Sequence, residues 1–110
     1  MPHFIFAYHG GKRPENDAEI AAEMARWESW FDSIGGSVID PGNPVGLSKT
    51  VSADGVVDHG GANPISGYTI IYAPDMDGAI EVARACPIMG SGTIEVAEIH
   101  AFPSGDDQRD

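Results

Sequence analysis

Between His3 and Tyr8 the aromatic residues Phe4, Phe6 and Tyr8 alternate with Ile5 and Ala7. Both sides of this extended segment are therefore apolar, as in a strand covered on two faces. Glycine and proline between His9 and Glu15 oppose a regular element and predict a link. Asn16, followed three residues later by Glu19, has the spacing of a helix start, where one side chain accepts an orphan N–H and the other reaches back. Ile20, Met24, Trp27, Phe31 and Ile34 then recur at steps of four and three, which puts them on one stripe of a first helix. Glu19, Glu23, Arg26 and Asp32 lie off the stripe, and Gly35-Gly36 ends the helix.

Ser37-Val38-Ile39-Asp40 reads as a second strand, halted by Pro41-Gly42. Ser48–Val51 and Val56–Asp58 flank Asp54-Gly55, a dipeptide suited to a tight hairpin turn. Tyr68–Ala73 is rich in aromatic and β-branched residues, is bounded by Gly67 and Pro74, and predicts a central strand. Asp75 or Asp77 caps a second helix carrying Ala79, Ile80, Val82 and Ala83, which Pro87 stops at about Cys86. Thr93–Ile99 alternates strictly and completes a last strand.

The order strand, helix, strand, hairpin, strand, helix, strand predicts an α+β fold: a ferredoxin-like split β-α-β arrangement with an antiparallel sheet and an inserted β-hairpin. The first two strands are expected to run antiparallel, with their ends at opposite edges. Both helices cover one face of the sheet. The other face carries Glu95 among apolar neighbours such as Ala97 and Ile99, and Tyr and Ile on both sides of the first and central strands call for a second apolar cover. A second copy of the chain is the simplest cover, so a homodimer is expected.

Length and charge narrow the function classes. A chain of 110 residues suits one domain, drawn at residues 1–102, with residues 103–110 as a flexible acidic C-terminal tail. Seventeen acidic against six basic residues give a formal net charge of −11, which repels a phosphate backbone, so nucleic acid is not an expected partner. Apolar runs such as Ile70-Ile71-Tyr72-Ala73 are far too short to span a bilayer, and the start of the chain enters a strand pattern without the marks of a secretory signal. No membrane association and a cytoplasmic location follow as expectations. Cys86 is the single cysteine, which leaves no internal disulfide, and it reads as a small buried hydrophobe.

Trp27-x-x-Trp30-Phe31, Gly36–Asp40, the Asp54-Gly55 hairpin, Gly67–Ile71, and Ala85-Cys86-Pro87-Ile88 through Gly92–Val96 stand in an order and spacing that resembles the YCII-related proteins. The branch often called DGPF is the most similar, its motif reading here as Asp58-His59-Gly60-Gly61, and the resemblance covers about residues 3 to 99. It implies a dimeric α/β barrel in which two ferredoxin-like sheets face each other. That architecture serves muconolactone isomerases, small monooxygenases and a dehydrochlorinase, so it does not choose a reaction. Shorter members carry a His on helix one as half of a proposed acid/base pair; helix one here has none, and the Asp-Pro step of some members reads Cys86-Pro87.

The candidate catalytic residues are His9, at an open strand end beside Gly10-Gly11 as a general base, and Asp40, as an orienting carboxylate or turn acceptor. Trp27 fits the core stripe. Trp30 lies off it, and either packs on the loop from Gly42 to Leu47 or walls a cleft. Lys49, His59 and Asn63 complete the candidate ligand-binding set, Lys49 with Asn63 holding a carboxylate and His59 on a glycine-rich loop. The four histidines show no metal-ligand spacing, Gly10-Gly11-Lys12 lacks the rest of a phosphate loop, and neither metal nor cofactor is expected. The pocket is expected between helix one, the loop after strand two and the 58–66 loop. It suits a small-molecule binder, with lyase- or isomerase-like chemistry as one form; the alternative is a noncatalytic dimeric interaction or regulatory module.

Overall fold

A computed structural model describes residues 2–101. The expected acidic tail from residue 103 lies outside them. Strand β1 (His3–Gly10) leads into helix α1 (Asp17–Ile34), which starts as its spacing predicts: the Asn16 side chain accepts from the Glu19 N–H at 2.8 Å, and Glu19 Oε1 accepts from the Glu15 N–H at 2.8 Å. A short 3₁₀ turn joins α1 to β2 (Val38–Asp40), and a hairpin of β3 (Thr50–Ser52) and β4 (Gly55–Val57) follows. The turn pair is Ala53-Asp54, and the positive φ of +132° falls on Gly55, one place later than Asp54-Gly55 as central pair would put it. Strand β5 (Ile65–Tyr72), helix α2 (Met76–Arg84) and strand β6 (Gly92–Ile99) complete the chain. Asp75, not Asp77, caps α2, accepting from the Gly78 N–H at 2.8 Å.

The four-stranded sheet has the order β2-β5-β1-β6, every pair antiparallel, which is the ferredoxin-like arrangement. Because β5 lies between them and runs against both, β1 and β2 are parallel, which corrects the expectation of opposed strands. The hairpin forms its own two-stranded sheet, and all six of its strand residues are exposed.

Alternation sorts the sheet residues by face. Phe4, Phe6 and Tyr8 of β1 and Gly67, Thr69 and Ile71 of β5 are buried under the helices, with Trp30, Ala79, Ala83, Cys86 and Ile88 closing the core. Register then puts Ile5, Ala7, Tyr68, Ile70, Tyr72, Ala97 and Ile99 on the other face, which no element among the described residues covers. Helix α1 meets the sheet only through its second half: Ile20 and Met24, both on the apolar stripe, are 44% and 66% exposed. No helix among the described residues is long and apolar enough to cross a membrane.

Candidate functional site

Between α1 and the sheet lies a cavity of about 540 Å³. Its floor is Tyr8, Gly67 and Thr69 of the sheet, its roof is Glu23, Met24, Trp27 and Phe31 of α1, and the 41–45 loop after β2 forms one wall. The opposite wall is the 10–14 segment with Ile88 and Ser91, held together where the Gly11 N–H donates to the Ser91 carbonyl at 3.0 Å. A second cleft of about 580 Å³ adjoins it and shares Lys12, Pro14, Glu23 and Ser91. Two of the walls are the expected ones, helix one and the loop after strand two. The third is not the 58–66 loop, which reaches the cavity only at Ser66.

Inside the cavity the polar groups are tied in a chain. The Tyr8 hydroxyl donates to Thr69 Oγ1 at 2.6 Å, and Thr69 Oγ1 donates to the Pro41 carbonyl at 2.9 Å. Burial pushes the Tyr8 phenol well above its ordinary range and the Cys86 thiol up to about 11. Both therefore stay protonated at neutral pH: Tyr8 serves as a neutral hydrogen-bonding group, and Cys86 is no thiolate nucleophile. Among the described residues the one carboxylate on the cavity wall is Glu23, whose Oε2 accepts from Trp27 Nε1 at 2.8 Å while Oε1 pairs with Arg26.

The candidate catalytic and ligand-binding residues fall in separate places, none of them on the cavity wall. His9 points to the open face, where it meets Asn63: the ring Nδ1 lies 2.9 Å from the Asn63 carbonyl oxygen and Nε2 lies 3.3 Å from Glu95 Oε1. Both ring nitrogens thus face acceptors, and a neutral imidazole donates from only one, so both bonds form together only on the protonated ring. Asp40 lies opposite Ile70 on β5 whereas His9 lies opposite Ile65, five residues along, roughly 16 Å at strand spacing. The two do not meet, and Asp40 Oδ1 instead accepts from the Gly42 N–H at 2.9 Å as a turn acceptor. Lys49 pairs with Asp58 at 3.1 Å on the exposed hairpin rather than with Asn63, and His59 Nδ1 accepts from the Gly61 N–H at 3.0 Å in its own loop.

Trp30 is 4% exposed, lies against Phe6, and donates from Nε1 to the Val82 carbonyl of α2 at 3.2 Å. The tryptophan on the cavity wall is Trp27, so the two exchange the places that the helical stripe gives them. Lys12, Arg13, Glu23 and Tyr8 also line the cavity and are polar or charged residues that the candidate set lacks. The signal for the cations lay in the sequence, since Lys12-Arg13 follows two glycines at the end of a strand in a chain with few basic residues. Among the described residues no group of three or more His, Cys, Asp or Glu is placed to hold a metal ion.

The fold and the gap define a class: a ferredoxin-like α+β domain with one helix lifted from its sheet over a cavity of small-molecule size. The chain belongs to the YCII-related domain family, whose family model matches residues 1–103. No curated protein matches it.

Proposed function

We propose that this YCII-related protein is a homodimeric binding protein that takes a small organic molecule into the cavity between α1 and the sheet. The observation that carries the reading is the set of apolar side chains left without cover there: Met24, Trp27 and Phe31 face a floor of Tyr8 and Thr69 across space of the volume that small-ligand sites occupy. A protein that left this surface idle would forgo its burial. Chemistry of the lyase or isomerase kind would need a proton acceptor beside the bound molecule, and Glu23 is the wall residue suited to it; Tyr8 and Cys86 hold their protons too tightly.

A fragment screen followed by the indole N–H resonances tests this reading. Aromatic fragments should move the Trp27 indole signal while leaving that of Trp30 nearly in place, and Trp27→Ala should abolish the binding. Fragments that move neither indole, or Trp30 alone, would remove the cavity as a binding site.

The dimer is supported by the open face. Four strands, three of them of eight residues, spaced about 4.8 Å give a face of roughly 19 by 27 Å, of the order of the ~800 Å² that each partner covers in a stable dimer. Its apolar centre, Ile5, Ile70 and Ala97, suits a twofold copy of itself better than water. Ile70→Lys, at the middle of the face, should convert a dimer into a folded monomer in light scattering. A wild-type chain already monomeric at about ten micromolar would end the dimer proposal. The noncatalytic reading also has an observation in its favour: Leu47, Val51, Val56 and Val57 are exposed on and beside the hairpin, an apolar arm fitted to a protein partner.

A further inference from the structure

The charges around the cavity carry a statement about its ligand. The described residues include five of the six Lys and Arg in the sequence: Lys12, Arg13, Arg26, Lys49 and Arg84. Arg26 pairs with Glu23, Lys49 with Asp58 and Arg84 with Glu81. Among the described residues Lys12 and Arg13 have no carboxylate within ion-pair distance, in a chain whose acidic residues number seventeen. Both are wall residues of the cavity under α1. Two adjacent cations held at the rim of an apolar cleft, against a net charge of −11, make a local positive site that the rest of the described residues lack. The segment that carries them is anchored at both ends, where the Gly11 N–H donates to the Ser91 carbonyl and the Glu15 N–H to Glu19 Oε1.

We infer that the ligand of this cavity is an organic acid, with its carboxylate at Lys12 and Arg13 and an aromatic or branched apolar body between Trp27, Met24 and Ile88. The inference rests on the cavity being a binding site and adds the class of molecule. Arg13 offers a planar fork that matches a carboxylate, and Lys12 a mobile point charge beside it. The interior selects against a second charge at the buried end, because that end is closed by the Tyr8 and Thr69 hydroxyls, already bonded to each other, and by hydrocarbon. A monoacid with an apolar tail fits both ends; an anion without such a tail, inorganic phosphate for example, fits only one.

Matched pairs test it: aromatic acids of one and two rings, such as 4-phenylbutyrate and 1-naphthylacetate, against their primary amides, titrated into the full chain with the Trp27 indole and backbone resonances as readout. The acid should bind about tenfold more tightly than its amide, an advantage of the size two partly exposed ion pairs give. The advantage should shrink as sodium chloride rises from 50 to 500 mM and vanish in the Lys12→Ser, Arg13→Ser double variant, whose exposed positions leave folding intact. Acid and amide binding equally at Trp27 would overturn the anion inference and leave the binding site standing. Inorganic phosphate binding as tightly as the acids would overturn it in favour of a simple anion site. If neither acid nor amide perturbs Trp27, the cavity reading and the inference fall together.

Discussion

Trp30→Ala is expected to cost about 3 to 5 kcal/mol of folding free energy, the range for emptying a buried tryptophan site. In a domain of this size the whole stability is about 5 to 15 kcal/mol, and each kcal/mol moves the midpoint by roughly 4 to 8 °C, so the variant should melt at least about 12 °C early or fail to fold. The reason is position. Trp30 stacks near Phe6 with centroids 6.3 Å apart, meets Phe31 at 5.0 Å and Trp27 edge-on at 5.7 Å, and its Nε1 donates to a carbonyl of α2. It is the side chain that joins both helices to the sheet. Trp30→Phe keeps most of the ring contact and loses the N–H bond, an effect of about 1 kcal/mol plus the smaller ring. Trp27→Ala empties a half-open site and should cost clearly less than Trp30→Ala. Thermal and urea melts followed by far-UV circular dichroism rank the three, and a Trp27→Ala protein less stable than Trp30→Ala would reverse the roles assigned to the two indoles.

That reversal of roles is also where the sequence stopped being readable. The strands and helices follow from local chemistry: Asn16 and Glu19 start α1, Asp75 and Pro87 bracket α2, and the alternation of β1 and β6 separates their two faces. Which side of α1 faces the core depends on where α2 lies, and only tertiary packing sets that. The stripe of five is apolar as its spacing predicts, yet Met24, Trp27 and Phe31 of it roof a cavity instead of filling a core, and Ile20 lies exposed outside that cavity. The parallel course of β1 and β2 was legible in principle, because a strand–helix–strand crossover within one sheet delivers parallel strands. The cavity wall was not, since it joins Gly11 to Ser91 across most of the chain. His9 shows the intermediate case: its type and its place at a strand end marked it, but its partner Glu95 was recognisable only once β6 was known to lie beside β1.

Gly42→Ala tests the wall that the sequence did anticipate, the loop after β2. Gly42 has a φ of +76°, a region that costs a residue with a side chain about 1 to 3 kcal/mol. A Cβ there would also overlap the Tyr68 carbonyl oxygen and sit 2.6 Å from its carbonyl carbon. Those atoms belong to the backbone of β5, bonded on both sides within the sheet, so it is the loop that must move. Moving it strains what ties it down: the Tyr68 N–H to the Asn43 carbonyl at 3.3 Å, the Val45 N–H to the Ser66 carbonyl at 3.0 Å, and Thr69 Oγ1 to the Pro41 carbonyl, with Tyr8 bonded behind it. Strain and weakened bonds together amount to about 3 kcal/mol or more, a fall in melting temperature of roughly 12 to 24 °C. Because Thr69 and Tyr8 form the cavity floor, the same substitution should abolish binding of aromatic fragments at Trp27 even at temperatures where the variant is fully folded. Gly46→Ala, in the same loop but with open space around its Cβ, is the control and should match the wild type in both measurements. A Gly42→Ala protein that melts with the wild type would mean that the loop does not lie on β5, and the cavity would lose that wall.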